Sequence, residues 1–254
     1  MKHKVPFLLF MFLALQAGSW GLTGHRAIGR IAEYHLSKKA SKAVRKILGH
    51  ETLADVANWM DFIKSEPAYD YMKPWHYVTI PDGQTYATAE KAPEGDVIWA
   101  INTFIGQLKS DTLTLDEQRF AIKALVHFIG DIHQPLHVGT GKDRGGNDVK
   151  LNYFWESSNL HRVWDSGMID KQQLSYTEWA IHLNHTTKEQ VARWQAASVN
   201  DWAMESMALR ASVYAIGDGK NLGYRYNYDH LAEVEQRLLQ AGVRLAGVLN
   251  AIFD

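Results

Sequence analysis

The segment Val126-His127-Phe128-Ile129-Gly130-Asp131-Ile132-His133-Gln134-Pro135-Leu136-His137 concentrates groups that can hold a cation or move a proton. His127 and Asp131 stand four residues apart, so a helix presents both on one face, and Pro135 must end that helix. His161 and Asp165 repeat the spacing within Asn159-Leu160-His161-Arg162-Val163-Trp164-Asp165. One such pair is ordinarily a surface or capping contact; two pairs together with His137, His76 and Asp61 point to metal. Zinc takes imidazole nitrogen and carboxylate oxygen at about 2.0–2.2 Å, and a helical pair offers two ligands already oriented by the backbone. His133, six residues after His127, falls off the shared face and reads as a neighbour of the ligands or a surface group. His35, His50, His182, His185 and His230 lack a partner at ligand spacing and read as ordinary histidines.

The elements that must carry these residues are mostly helical. From Gly24 to Leu48 the apolar positions recur at helical spacing, and Gly49 ends the run. Similar patterns predict helices over 53–64, 94–109, 115–132, 160–170, 174–184, 187–196, 199–216 and 228–252. The stretches 65–93 and 134–159 hold most of the Pro, Gly and Asn and are expected to be loops. Val149 to Phe154 alternates apolar and polar residues, which allows a short strand or hairpin. The expected fold class is therefore all-α, with long loops and at most one short hairpin, and no internal repeat or linker divides it. Most Trp residues, with Tyr224, Tyr226 and Tyr228, read as packing groups.

With 254 residues, 46% of them apolar, the chain can bury a core as one domain. Lys2 and Lys4 precede an apolar run from Val5 to about Leu15 and the small residues Ala17-Gly18-Ser19, the pattern of an export signal cut after Ser19. The expected division is a signal peptide at 1–19 and a single domain at 20–254. The apolar run is shorter than the roughly 20 residues that span a bilayer, so no membrane anchor is expected in the mature chain. Losing Lys2 and Lys4 leaves 25 basic against 28 acidic side chains, a net charge of −3. A polyanion would then be held locally, by metal and a few placed groups, rather than by a global basic field. Cys is absent, so an exported chain must draw its stability from the core and from bound metal.

Six segments in order resemble the trinuclear-zinc single-strand nucleases, the S1 and P1 type, which share a fold group with zinc phospholipase C. They are Trp20-Gly21-Leu22-Thr23-Gly24-His25, Asn58-Trp59-Met60-Asp61, Trp75-His76-Tyr77, His127 to His137, Gly145-Gly146-Asn147, and Asn159 to Asp165. Trp202 to Ser206 resembles a later helix of that family. The resemblance implies three zinc ions: one on Asp61, His76, His127 and Asp131, and one on His137, His161 and Asp165. The third would take His25, Asp131 as a bridge, and Trp20 through its free amine and its carbonyl oxygen. Amine and carbonyl of one residue close a five-membered chelate ring, and only cleavage after Ser19 frees that amine.

Zinc lowers the pKa of a coordinated water to about 7, which supplies a hydroxide nucleophile at neutral pH and addresses the resistance of a phosphodiester to attack. The resemblance implies hydrolysis of single-stranded DNA and RNA to 5′-phosphorylated products and removal of 3′-phosphates from nucleotides. Asp61 and Asp131 are then catalytic through the metals they hold. Lys64 stands where relatives often carry a basic residue beside the phosphate, with a solvated surface lysine as the alternative. Tyr77, after His76, corresponds to an aromatic that stacks on a base, or is a buried core tyrosine. Asn147 is suited to bind a phosphate oxygen from the Gly145-Gly146 turn or to hold the turn itself. Thr79 stands where some fungal members carry an acidic residue, which leaves base preference open.

Two other functions fit parts of the pattern. A zinc phospholipase C would use similar ligands on a phospholipid headgroup, but the Asn-Leu-His-x-x-Trp-Asp pattern ending in Asp165 resembles the nucleases. A non-catalytic exported zinc-binding protein would carry dense His tracts, whereas these ligands are dispersed over about 145 residues. No protein partner is implied, and the expected chain is a monomer exported to a periplasm or beyond the cell.

Overall fold

The computed structural model describes residues 20–110, 112–217 and 220–254. The signal peptide expected at 1–19 lies outside the described residues. The run expected as one helix over 24–48 is two: α1 (Leu22–His35) and α2 (Lys38–Leu48). Leu36 turns extended and Ser37 caps α2, its hydroxyl accepting from Ala40 N at 3.0 Å, so a capping serine overrides a continuous apolar period. The expected helix over 53–64 is likewise divided into α3 (Leu53–Val56), which starts at a Thr52/Asp55 capping box, and α4 (Trp59–Phe62).

The loop expected over 65–93 contains a run of 3₁₀ turns, Pro67–His76, and the two-residue strand β1 (Val78–Thr79). Then come α5 (Val97–Lys109) and α6 (Leu115–His133), the latter opened by a Thr114/Glu117 capping box. Pro135 ends α6 as expected by pushing Gln134 into extended backbone. A 3₁₀ turn, Pro135–His137, leads into β2 (Val138–Gly139), which pairs in parallel with β1, Val78 opposite Val138.

The expected hairpin is present as β3 (Lys150–Tyr153) and β4 (Glu156–Asn159), and β5 (Asn221–Leu222) adds to β3 in parallel. The stretch 160–170 holds α7 (Leu160–Arg162), a π turn over Val163–Gly167 and α8 (Met168–Asp170). Next come α9 (Tyr176–Leu183), α10 (Lys188–Ala196) and α11 (Val199–Val213), each begun by a capping box. The last helix is α12 (Tyr224–Phe253). The molecule is mainly helical, with sheets too small to do more than fix loops.

At the centre lies α6, buried without a break from Ala121 to His133 and packed on α1, α5, α11 and α12. A helix apolar all round belongs in a core, so the polar residues on it need partners inside. Tyr226 packs as expected, while Tyr224 and Tyr228 are exposed, because they sit on the solvent side of the first turns of α12. Among the described residues no helix is long and apolar enough to cross a membrane.

Candidate metal centre

The deepest turns of α6 bring His127 and Asp131 to one point, both fully buried. His25 reaches them from α1, Asp61 from α4, His76 and His137 from the two 3₁₀ segments, His161 from α7 and Asp165 from the π turn. Asp131 is the meeting point. Its Oδ2 lies 2.9 Å from His76 Nδ1 and 3.4 Å from His127 Nε2, and its Oδ1 lies 3.3 Å from His25 Nε2. Asp61 Oδ1 stands 3.5 Å from His127 Nε2, and Asp165 Oδ2 stands 3.0 Å from His161 Nε2.

Three sets of donor atoms each fall within 4.8 Å: His25, His127 and Asp131; Asp61, His76 and His127; His137, His161 and Asp165. All eight side chains expected as ligands are thus together. The grouping differs from the expected sets in two respects: His127 falls with His25 as well as with Asp61 and His76, and Asp131 falls with the His25 set alone, although its Oδ2 lies 2.9 Å from His76 Nδ1. The rings of His25 and His127 stack at 4.0 Å.

Do these groups fit a metal? Nδ1 of His127 is 2.7 Å from Ala57 O, that of His137 is 2.6 Å from His76 O, and that of His161 is 2.6 Å from Gly145 O. A carbonyl only accepts, so each Nδ1 carries the hydrogen, and in the neutral ring Nε2 is left with a lone pair. Those Nε2 atoms face carboxylate oxygens, acceptor against acceptor unless a metal ion or a second proton on the ring stands between them. Asp131 Oδ1 and His137 Nε2 are moreover buried without a hydrogen-bond partner. Imidazoles fixed by backbone carbonyls are the usual second layer of a zinc site. The three clusters fit metal ions.

The electrostatics keep the three carboxylates ionised. Burial alone would raise the Asp131 carboxyl, but His127, His137, His25 and His76 hold it well below the carboxylate range. Asp61 is likewise held far down against burial, by His127 and Lys64, and Asp165 by His161 and His137. Burial, with Lys64 adding, pushes His76 down to about 3. Burial and His127 lower His25. For His127 and His137 burial is outweighed by Asp131, and both sit above the ordinary 6.5.

Trp20 is fully buried, its indole Nε1 donating to Gly130 O at 2.8 Å, and the next amide, Gly21 N, donates to Asp165 O at 2.7 Å. The residue is docked between the metal helix and the π turn. Lys64 is partly buried, and its Nζ donates to Asp61 Oδ1 at 2.6 Å. Tyr77 is 49% exposed, beside His76, rather than in the core. Asn147 donates from Nδ2 to Arg144 O at 3.0 Å, inside its own turn. The adjoining Gly145 has φ of 61°, and a Cβ there would lie 2.3 Å from Leu136 O, so only glycine allows its carbonyl to reach His161.

Several contributors escaped the sequence reading. Gln134 is fully buried, with Nε2 donating to Asp165 Oδ1 at 2.6 Å. Its place between Asp131 and His137 was the available signal. His133 is buried, neither ligand nor surface; its Nδ1 donates to Ile129 O, and Arg244 Nη1 lies 2.9 Å from Nε2. Arg237 Nε donates to His133 O, and Ser206 Oγ to Ile132 O, which caps the last turn of α6 from behind. Glu205 accepts from both Arg237 and Arg244.

Fold and site define a mainly helical protein built around a buried centre of His and Asp donors fit for several metal ions. The chain belongs to the S1/P1 nuclease family, which matches it over residues 20–254. Endonuclease 3 of Arabidopsis thaliana is 34% identical over 278 residues, covering 98% of this chain and 94% of the relative. Endonuclease 2 of the same plant is 32% identical over 99% of this chain and 97% of its own length. Nuclease P1 of Penicillium citrinum is 26% identical over 92% of this chain and 97% of its own.

Proposed function

We propose that the chain is an exported, zinc-dependent phosphodiesterase that cuts single-stranded DNA and RNA to 5′-phosphorylated products and removes 3′-phosphates from nucleotides. The observation that carries this reading is Asp131: buried, ionised, and turned by both oxygens toward imidazoles that belong to different donor sets. One carboxylate shared in this way suits a cluster of ions rather than a single one. Three zinc ions are proposed: Asp61, His76, His127 and Asp131 for the first, His137, His161 and Asp165 for the second, and His25, Asp131 and Trp20 for the third.

Zinc bound there would acidify water to a pKa of about 7 and offset charge on the phosphate. The residues of the chain set the geometry around it. Lys64 places a cation at the edge of the Asp61 set, where it can meet a phosphate oxygen. Tyr77 offers an exposed ring beside His76 on which an unpaired base can stack, worth roughly 1–3 kcal/mol and independent of base identity. Asn147, bonded to Arg144 O within its turn, would either hold that turn or bind a phosphate oxygen from it. The family match that begins at Trp20, together with the burial of that side chain, supports export with cleavage after Ser19 and a single domain over 20–254.

The test is hydrolysis of single-stranded DNA and RNA by the chain beginning at Trp20, before and after chelation and again after zinc is restored, with phosphatidylcholine alongside. Zinc-restored cleavage of the nucleic acids to 5′-phosphorylated products is expected. Hydrolysis of the lipid alone would reassign the chain to the phospholipase branch, and zinc binding without turnover of either would reduce it to a metal-binding protein.

A further inference from the structure

Asp165 and Asp131 face imidazoles in different ways. Both oxygens of Asp131 are directed at rings. Asp165 has one oxygen tied to an amide: Oδ1 accepts from Gln134 Nε2 at 2.6 Å and lies 3.7 Å from His137 Nε2, while Oδ2 stands 3.0 Å from His161 Nε2. The amide cannot be the other way round. Gln134 Oε1 accepts from Leu136 N at 2.5 Å, and an N–H on that side would face another N–H. The glutamine is fully buried, its backbone N bonded to Asp131 O and its carbonyl to His137 N, so its position is fixed from both ends.

We propose that Gln134 is a positioning residue that fixes the orientation of the Asp165 carboxylate, holding Oδ1 on the His137 side so that Oδ2 stays against His161 at the ion these three side chains would share. The proposal rests on the metal reading above. Its chemistry is general: the hydrogen bonds to a ligating carboxylate set which way its oxygens point and so how firmly it holds the ion. His137, His161 and Asp165 supply three side chains, the number that leaves a zinc ion a position for substrate.

The test replaces the glutamine by an isostere that neither donates nor accepts, Gln134→Met, in the mature chain loaded with cobalt(II) or with zinc. Cobalt reports coordination number through the intensity of its visible bands, which falls as ligands are added. The variant is expected to show a changed cobalt spectrum at unchanged metal count, as the Asp165 carboxylate loses its fixed orientation. It should also yield one zinc to a competing chelator about 10–100-fold more readily, the usual cost of removing such a support. Loss of the Leu136 N partner will lower its melting temperature, so thermal stability is recorded separately. A variant that melts earlier but keeps the wild-type cobalt spectrum and zinc affinity would show that Gln134 merely caps the turn, and the proposal is overturned. A wild-type chain that takes up neither metal overturns the metal reading, and this proposal with it.

Discussion

A methyl group at position 130 would collide with a proposed ligand. The Cβ of an alanine there falls 2.7 Å from His25 Nδ1 and 2.8 Å from its Cε1. In an ordinary helix interior Gly→Ala stabilises by about 1 kcal/mol; here the gain is offset by overpacking, typically 1–3 kcal/mol. Gly130→Ala is therefore expected to bind one zinc fewer per chain while staying folded, as read by metal analysis beside circular dichroism. A full complement of zinc would mean that His25 does not need its present place. Lys64→Met should keep its metals and lose turnover by about 10²-fold, the scale of removing one donor to developing charge; unchanged kcat would remove Lys64 from the chemistry. The ligands were readable because His127/Asp131 and His161/Asp165 repeat a helical spacing, and because the remaining segments matched a known order. Gly130 and Gln134 were not, since their roles depend on His25 and Asp165, which only the fold brings to them.

At the scale of elements, the placement of α6 depends on α11 and α12. Ser206 and Arg237 satisfy its last carbonyls, and Glu205 holds Arg237 and Arg244 in position, the three side chains making one charged network behind the His and Asp clusters. Burial would raise the Glu205 carboxyl, but Arg244 and Arg237 outweigh it and hold it below its ordinary 4.5. A depressed carboxylate contributes stability that is present above the unfolded value and lost as pH falls through the folded one. Glu205→Gln should thus cost about 1–3 kcal/mol at pH 7, less than a fully buried pair because Glu205 is partly exposed. It should also flatten the loss of stability below pH 4.5. Urea unfolding of both proteins at pH 7 and pH 4 decides this; curves that shift in parallel would mean the carboxylate is not the source of the acid sensitivity. Helix starts were legible where Thr, Ser or Asp stood three residues before an acceptor, as at Thr114, Ser175 and Ser198. The breaks at Ser37 and around Ala57 were not, because an apolar period continues across them; at Ser37 it is the capping hydroxyl that interrupts it.

The whole molecule has no disulfide to close it, and it places three carboxylates and five imidazoles at one internal centre. Filling each site at 1,000 times its Kd would add about 4 kcal/mol to the stability of the fold, so chelation should lower the melting temperature steeply and zinc should restore it. Coincident melting curves with and without chelator would show that the clusters carry little metal. The N-terminus offers a sharper separation of fold from function. Trp20 docks through its indole on Gly130 O, and Gly21 through its amide on Asp165 O, and neither contact uses the amine of residue 20. A short peptide left ahead of Trp20 should therefore leave folding and the other metals intact while converting the amine into an amide, which has no lone pair to give a cation. The expected chain has one zinc fewer and most of its turnover gone, both recovered when the extension is removed by proteolysis. Native mass spectrometry counts the ions and a single-stranded DNA assay reads the rate. If the extended chain keeps every ion and its full rate, the amine is no ligand, and maturation after Ser19 serves export alone.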